Sequence, residues 1–383
     1  MRSRQQLEDI EKASLASWAA LSENSRGRVY PEDEHMFRTA FQRDRERVLH
    51  TTAFRRLQGK TQVFVVTEGD YYRTRITHTL EVAQIGRTIA RSLGANEDLV
   101  EGICLSHDLG HPPFGHSGEA TLASLMQSYG GFDHNRHSFR IIAELEHRYP
   151  DFPGLNLVYE VREGIVKHET DYDQVGQHDY EPHLRGTIEC QIASVSDELA
   201  YNAHDLDDGL RAGLLHPQDL KNLAWFKRTC ASANIDINAP WEDITRHIFV
   251  RRLIGLLTTD LLNESTRRIA VSRVQTLHDV RRLPENLIAW SDATVAMNRE
   301  WKAYLYEHLY RHYRVMRMHS KSSRVLEDLF HTYNADPRVL PDGTREKLTS
   351  LPVERVVCDY IAGMTDRFAL DEHARLFDPH ERV

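Results

Sequence analysis

The sequence contains only four cysteines in 383 residues, and no pair of them forms a CxxC motif. So few scattered thiols exclude a disulfide framework and a cysteine-based zinc site, and predict buried, reduced side chains. No run of about 18 apolar residues occurs, so no membrane-spanning helix is expected. The first residues are charged and lack an apolar stretch, which argues against a secretory signal. These absences predict a cytoplasmic protein without a membrane partner.

An excess of positive charge is also lacking, because the formal net charge is −9. This balance argues against a surface that coats nucleic acid. Arginines nevertheless concentrate in residues 38–60, and Arg73 and Arg75 follow shortly after. Two interpretations stay open for these residues, a solvated helix face or a local phosphate-binding surface. Arginine suits the second because its planar guanidinium can bind two phosphate oxygens at once.

Strand-like alternation is scarce as well, and residues 62–67 (QVFVVT) are its best example. Helical periodicity dominates instead, with apolar residues recurring every three or four positions. The predicted fold is all-α, a helical bundle with additional C-terminal helices and at most a minor β-hairpin. The predicted helices cover residues 80–90, 99–105, 187–206, 248–262, 287–316 and 352–368, whereas 150–186 is predicted to form loops.

What the chain does contain is a set of two imidazoles and two carboxylates, His78, His107, Asp108 and Asp197. His107 lies 29 residues after His78 and Asp108 lies 89 residues before Asp197, so three helices must bring the set together. Gly110 ends the second helix, which lets the adjacent pair face one ion. Such a nitrogen and oxygen ligand set predicts a divalent metal site. Mg²⁺ or Mn²⁺ is favoured, and Fe²⁺, Co²⁺ or Zn²⁺ is an alternative.

The stretch 107–119 (HDLGHPPFGHSGE) adds His111, His116 and Glu119. A histidine can donate a proton to a leaving group near neutral pH, and a nearby carboxylate can orient its ring. His116 is the candidate acid and Glu119 its partner, the alternative being that His116 only packs in a loop. His111 and His134 are candidates for phosphate contact or for support of His116, with a structural role as the alternative.

Asp197, Tyr201 and Asp205 are spaced four residues apart, which places them on one side of a helix over about 12 Å. The Tyr201 ring could exclude a ribose 2′-hydroxyl and Asp205 could accept a hydrogen bond from a sugar hydroxyl. The alternative is a solvated acidic helix end. Gln58 is a further candidate for contact with sugar or base.

Several longer strings make a specific resemblance. They are SRGR (25–28), FQRDRERVLHTTAFRRLQGKTQVF (41–64), YYRTRITHTLEVAQIGR (71–87), HDLGHPPFGHSGE (107–119), FDHNR (132–136) and SDELAYNAHDLDDGL (196–210). They resemble the bacterial dGTP triphosphohydrolase (dGTPase)-like family of HD-domain metal phosphohydrolases. The resemblance implies an HD-domain bundle that hydrolyses a deoxynucleoside triphosphate to the deoxynucleoside and inorganic triphosphate.

The resemblance also implies individual roles. His78, His107, Asp108 and Asp197 match the family's metal ligands, and His116 with Glu119 matches its catalytic histidine and acidic partner. His134 matches a further active-site histidine and Arg75 a phosphate-binding arginine, while Tyr201 and Asp205 match residues that hold the deoxyribose. The resemblance further implies two kinds of partner. One is further copies of the chain in a homo-oligomer such as a hexamer, and the other is a nucleotide or single-stranded DNA that acts as an effector.

The implied organisation is a loosely attached arm over residues 1–25, an HD catalytic core over 26–215 and a C-terminal helical region over 216–383 packed on the core. Two other functions stay open. One is a different HD phosphohydrolase, such as a 5′-nucleotidase or phosphodiesterase. The other is a non-catalytic module that senses nucleotides or binds nucleic acid.

Overall fold

The computed structural model describes residues 1–64, 72–168 and 180–382. Within these ranges the regular structure is helical and no β-sheet occurs, which confirms the all-α prediction. The α-helices are α1 Arg4–Ser14, α2 Ala40–Leu49, α3 Thr52–Arg56, α4 Arg75–Leu93, α5 Glu97–Ser106, α6 Gly115–Leu125, α7 His134–Arg140, α8 Tyr159–Val166, α9 Ile188–Arg211, α10 Ala224–Ala233, α11 Asp243–Ser272, α12 Leu277–Arg281, α13 Asp292–Leu305, α14 Tyr313–Ala335, α15 Asp342–Arg345, α16 Val353–Ala362 and α17 Asp366–Phe377.

The predicted strand at 62–67 is only partly covered by the described residues. Residues 62–64 form no strand, and 65–67 lie outside the described ranges. Thr61 forms an isolated antiparallel bridge with Thr74. All four cysteines are buried and form no disulfide. Among the described residues, no helix combines the length and the apolar character needed to span a bilayer.

The chain forms two compact units that interleave along the sequence. The first unit comprises residues 1–49, 78–106 and 156–312, and the second comprises 50–77, 107–155 and 313–383. The sequence predicted three consecutive segments instead, and that division stays a prediction.

Helix α5 is the central element of the first unit. It packs against α2, α8 and α9, and its residues Leu99, Val100 and Ile103 are fully buried. Two glycines allow its neighbours to approach. A Cβ atom at Gly86 would lie 2.9 Å from Val100, and one at Gly164 would lie 2.4 Å from Ile103. Contacts this close exclude a side chain at either position, so the glycines set the spacing of α4 and α8 from α5.

The N-terminal residues pack within the first unit. Ser3 and Gln6 form a capping box at the start of α1, which satisfies backbone donors there. Trp18, Ala19 and Ala20 are buried, and the Ala20 amide donates to the buried Glu189 carboxylate at 3.0 Å. The segment that was predicted as a loosely attached arm therefore contributes to this core.

Helices α6, α14, α16 and α17 form an apolar cluster in the second unit. Leu122 comes from α6 and Met126 directly follows that helix, Leu329 and Phe330 come from α14, and Ile361 comes from α16. Each helix places apolar residues three or four positions apart on one face, and burial of that face stabilises the unit.

Three predicted elements differ from the structure. The predicted helix 287–316 is two helices, because Ser291 caps α13 and a new helix starts at Tyr313. The predicted helix 352–368 is also two, since α16 ends at Ala362 and Thr365 caps α17. The predicted loops 150–186 include α8, whose Val161 and Ile165 face the core.

His137 in the second unit predicts a dependence of stability on pH. Burial, together with the charges of Lys60, Arg140 and Arg355, lowers the pKa of its ring from 6.5 to about 3. Between these values the unfolded chain binds a proton that the folded chain does not. Stability from this group is therefore lost as the pH falls from 6.5, by about 1.4 kcal/mol per unit.

The test is to measure the free energy of unfolding by denaturant titration at several pH values between 6.5 and 4, for the wild type and His137→Asn. We expect the wild type to lose stability more steeply than the variant by about 1.4 kcal/mol per pH unit. Replacement of the exposed His331 by asparagine should leave the slope unchanged. Parallel curves for the wild type and His137→Asn would show that His137 is protonated in the folded chain.

Candidate functional site

In the first unit, His78 and Asp197 are in contact. His78 lies in the first turn of α4 and Asp197 in the middle of α9, and His78 Nε2 is 2.9 Å from Asp197 Oδ1. The other carboxylate oxygen, Oδ2, is 3.3 Å from Nε2 of the buried His168. The Asp197 side chain keeps 14% of its surface exposed. A carboxylate held by two imidazoles, one of them a predicted ligand, has the donor chemistry of a divalent-metal site.

The second ring nitrogen of His78 faces another histidine. His78 Nδ1 lies 3.3 Å from His204 Nδ1, and His204 Nε2 lies 3.3 Å from a Glu81 carboxylate oxygen. If His78 offers Nε2 to an ion, its Nδ1 carries the proton and donates to His204, which in turn donates to Glu81. Such outer contacts fix the orientation of a ligating imidazole. Neither His204 nor Glu81 was predicted from the sequence. His204 lies seven residues after Asp197 and therefore on the same face of α9, so helix spacing could have indicated it.

In the second unit, Asp108 is the centre of a cluster of basic groups. His107 Nε2 lies 3.5 Å and His111 Nε2 lies 3.2 Å from Asp108 Oδ1. The same oxygen accepts a hydrogen bond from Arg75 Nη1 at 3.0 Å. Arg75 is almost fully buried, and among the described residues its Nε and Nη2 have no hydrogen-bond partner. Buried guanidinium donors without a partner are suited to an anion such as phosphate.

Four predicted catalytic residues come together beside Asp108. The rings of His111 and His134 are stacked with centroids 3.8 Å apart. Glu119 Oε1 accepts from His134 Nδ1 at 2.7 Å, and Glu119 Oε2 lies 3.5 Å from His116 Nδ1. His116 is 43% exposed whereas His134 and His111 are buried, so the group leads from a buried pair to an accessible imidazole.

The charges of this group follow from its surroundings. Burial would raise the pKa of the Glu119 carboxyl, but the charge of His134 and the hydrogen bonds from His116 and His134 hold it far below its usual range. Burial, reinforced by the charge of Arg75, holds the pKa of His111 well below 6.5. Glu119 is therefore an anion and His111 is neutral near pH 7.

The segment that carries His107 and Asp108 is held against α7 by close backbone contacts. Ser138 Oγ donates to the His107 carbonyl at 2.6 Å and accepts from the Gly110 amide at 2.8 Å. A Cβ atom at position 110 would lie 2.2 Å from the His134 carbonyl oxygen, so only glycine fits. Gly110, predicted as a helix end, therefore also permits this contact.

Ligand-type atoms in the second unit lie close enough to hold an ion. Asp108, His111 and His134 each offer one atom, and these atoms lie within 4.8 Å of one another. Glu119, Asp133 and His134 form a second such group. The residues thus fit a divalent metal with mixed nitrogen and oxygen ligands, although a donor set of this kind does not distinguish Mg²⁺ or Mn²⁺ from Fe²⁺, Co²⁺ or Zn²⁺.

The predicted sugar-binding residues lie on α9 in the first unit. Asp205 is buried and accepts a hydrogen bond from the Tyr310 hydroxyl, and the Tyr310 ring lies 6.3 Å from that of Tyr201. Tyr310 was not identified from the sequence, because the contact joins segments more than one hundred residues apart. Gln58 is exposed, and its predicted contact with sugar or base stays a prediction.

Comparison with known proteins completes the description of the site. The HD domain profile matches residues 75–202, and the phosphohydrolase-associated domain profile matches residues 288–375. A deoxyguanosinetriphosphate triphosphohydrolase-like protein of Geobacter metallireducens is 51% identical over 97% of this chain and 97% of its own length. Proteins with the same name from Geobacter sulfurreducens and Thiobacillus denitrificans are 50% and 47% identical over 98% and 96% of the chain, and over 98% of their own lengths.

Proposed function

Because the chain belongs to the deoxyguanosinetriphosphate triphosphohydrolase-like family of HD-domain phosphohydrolases, we propose that it hydrolyses deoxynucleoside triphosphates to the deoxynucleoside and inorganic triphosphate. Water attacks the α-phosphorus, the bond from phosphorus to the 5′-oxygen breaks, and that oxygen takes up a proton. The substrate is dGTP or a broader set of deoxynucleoside triphosphates. In this proposal His78, His107, Asp108 and Asp197 are the ligands of one divalent metal ion.

The observation that carries the proposal is the group around Asp108 in the second unit. It contains the buried Arg75 guanidinium, which has donors for an anion, and a cluster of nitrogen and oxygen atoms of the kind that bind metals. It also contains His116, which lies next to the Glu119 carboxylate. A phosphate ester needs all three functions, because its negative charge must be bound, its phosphorus activated and its leaving oxygen protonated. A bound divalent cation supplies charge neutralisation and acidifies water at this site.

The remaining steps belong to the side chains of the protein. Nε and Nη2 of Arg75 donate to a phosphate oxygen of the substrate while Nη1 stays on Asp108. His116 donates a proton to the departing 5′-oxygen, since it is the accessible member of its group. Glu119 orients the His116 ring, and His134 holds Glu119 in place. His111 is neutral, so it serves as a hydrogen-bonding partner of the phosphate or of Asp108.

Selection of a deoxyribose is the proposed role of Tyr201. Replacement of this residue by alanine should open space beside C2′ and lower the ratio of kcat/KM for dGTP to that for GTP by roughly ten- to a hundredfold. Tyr201→Phe keeps the ring and should keep the ratio. The measurement is steady-state hydrolysis of both nucleotides by each protein. An unchanged ratio in Tyr201→Ala would exclude the ring from sugar selection.

Two other functions give different products. A 5′-nucleotidase would release orthophosphate from a monophosphate, and a phosphodiesterase would release a monophosphate. A sensing module would bind the nucleotide without turnover, but such a module has no need for the carboxylate-linked, accessible His116. The test is a product-resolved assay of the purified protein with each deoxynucleoside triphosphate, with and without added Mn²⁺. Triphosphate release supports the proposal, and tight binding without any product contradicts it.

We also propose the partners that family membership suggests. These are a homo-oligomer, with a hexamer as the first candidate, and a nucleotide or single-stranded DNA as effector. The arginine-rich segment 38–56 is the candidate surface for such contacts. Sedimentation velocity with and without a deoxynucleoside triphosphate measures the first of these proposals directly.

A further inference from the structure

The second unit contains a partly open cavity, and no residue discussed as a ligand, catalytic group or sugar contact lines it. Its volume is about 270 Å³, and its walls come from α3, from α7 with the turn that follows it, from the segment 344–347 and from α16. Leu109, the residue after Asp108, forms part of one wall. The cavity therefore lies behind the segment that carries His107 and Asp108.

Part of the cavity lining is apolar. Leu109, Ile141, Leu145 and Val356 contribute to it together with Tyr360. Apolar and aromatic walls with a few polar groups are the usual lining of a small-molecule site. Burial of an apolar ring or chain against these side chains would contribute to binding of a ligand.

Basic residues form another part of the lining. These are Lys60, Lys347 and the exposed Arg56, and among the described residues the side chains of Arg56 and Lys347 form no hydrogen bond or ion pair. Lys60 Nζ donates to the backbone carbonyls of His111 and Ala362. Burial, reinforced by the charges of Arg56 and Arg75, lowers the pKa of Lys60 to about 7. A bound phosphate favours the protonated form of this amine, whose third N–H is available. Arg56 Nη1 would lie 3.3 Å from a Cβ atom at Gly363, so the absence of a side chain there leaves room for the guanidinium.

The interior holds polar atoms that lack a partner. Both ring nitrogens of the buried His137 and Oδ1 of Asp359 form no hydrogen bond among the described residues. The two groups do not satisfy each other, because His137 Nδ1 is 3.8 Å from Asp359 Oδ1. Buried polar atoms are nearly always hydrogen-bonded, so these atoms require a partner that the described residues do not supply.

The acidic groups of the lining are largely engaged elsewhere. Asp359 Oδ2 accepts from Arg140 at 2.8 Å, and Glu146 Oε1 accepts from the Ala53 amide at 2.8 Å. The remaining cationic donors of Arg56 and Lys347 disfavour a metal ion and favour an anion. A purely apolar ligand would leave these cations and His137 without partners.

We propose that this cavity is a binding site for a small organic phosphate, separate from the proposed active site. The phosphate group binds Arg56, Lys347 and the remaining donor of Lys60. The apolar part packs on Tyr360 and Val356, and a hydroxyl or amine of the ligand contacts His137 and Asp359. A ligand held there touches Leu109 and lies next to the segment that presents His107 and Asp108.

The test is isothermal titration calorimetry of the full chain with phenylphosphonate, a phosphate mimic that carries a ring and cannot be hydrolysed. Inorganic phosphate is the second probe, and EDTA is present so that metal-bound phosphate does not contribute. We expect saturable one-to-one binding of phenylphosphonate and weaker binding of inorganic phosphate, which lacks the apolar part. Arg56→Ala and Lys347→Ala should each raise the dissociation constant by about tenfold or more.

Matched controls are available for both cations. Arg55→Ala removes the neighbouring arginine, whose guanidinium bonds to the His50 carbonyl and Thr52 hydroxyl, and Arg345→Ala removes an exposed arginine two positions from Lys347. Both should bind phenylphosphonate like the wild type, and so should Arg75→Ala. Leu145→Trp should fill the cavity and abolish binding while thermal unfolding shows a folded chain.

Three results would overturn the proposal. They are the absence of saturable binding of phenylphosphonate to the wild type, unchanged affinity in both Arg56→Ala and Lys347→Ala, and loss of binding in Arg75→Ala alone. The last result would place the probe at the proposed active site. Because the readout is binding without metal, it does not depend on whether the protein hydrolyses nucleotides.

Discussion

Replacement of Asp197 by alanine is expected to remove the divalent metal from the purified protein and to lower turnover of a deoxynucleoside triphosphate by at least about 1000-fold. The carboxylate contacts His78 at 2.9 Å and His168 at 3.3 Å, so its loss removes the acidic group that these two imidazoles share. A metal ion stabilises the charge of the transition state by several kcal/mol, and each ~1.4 kcal/mol is a factor of ten in rate. The metal content is measured by elemental analysis and the rate by triphosphate release.

Asp197→Asn and Asp219→Ala are the controls for this prediction. Asparagine keeps the shape of the side chain and removes only its charge, so most of the loss should persist. Asp219 is exposed and its replacement should leave metal content and rate unchanged. Circular dichroism and thermal unfolding show whether α9 stays folded in each variant. A folded Asp197→Ala protein with full metal content and full activity would exclude Asp197 as a ligand.

His116→Ala is expected to have the second largest effect, a loss of roughly 100- to 10,000-fold in turnover with the metal content unchanged. The imidazole is the accessible end of the group that Glu119 links to His134. Without it, the 5′-oxygen must leave without a proton donor, while the proposed ligands stay intact. Rates and metal content are measured on the same preparation.

Comparison with Glu119→Gln distinguishes a proton donor from a packing residue. This variant keeps the His116 ring and removes the carboxylate that orients it, so a smaller loss of turnover than in His116→Ala is expected. His331→Ala, a replacement of an exposed histidine outside the group, should have wild-type rates. Full activity of His116→Ala would remove this residue from the mechanism.

The fold class was predictable because helical periodicity covers most of the chain. Buried helices such as α5 and α9 were located from their apolar faces. The predicted start of α9 agrees with the Thr187 cap, and the predicted end of α5 agrees with the break after Ser106. The break between α13 and α14 was not predicted, since apolar residues continue through it. Helix α8 was missed because it is short and lies among polar residues and glycines. Local pattern therefore locates long helices better than their interruptions.

The chemistry of the site was predictable to the level of residue types. Spacing along α9 placed Tyr201 and Asp205 on the face of Asp197, because that relation depends only on helix geometry. The contacts of Arg75 with Asp108, of Glu119 with His134 and of Tyr310 with Asp205 could not be predicted in this way. They join distant segments, and only the packing of the helices determines which side chains meet.

The most direct test of the proposed function is hydrolysis of dGTP in ¹⁸O-labelled water with Mn²⁺, followed by mass spectrometry of both products. Attack of water at the α-phosphorus predicts deoxyguanosine without label and one labelled oxygen in each inorganic triphosphate, with the reaction abolished by EDTA. Label in deoxyguanosine, release of orthophosphate or pyrophosphate in place of triphosphate, or hydrolysis that persists without any divalent metal would contradict the account.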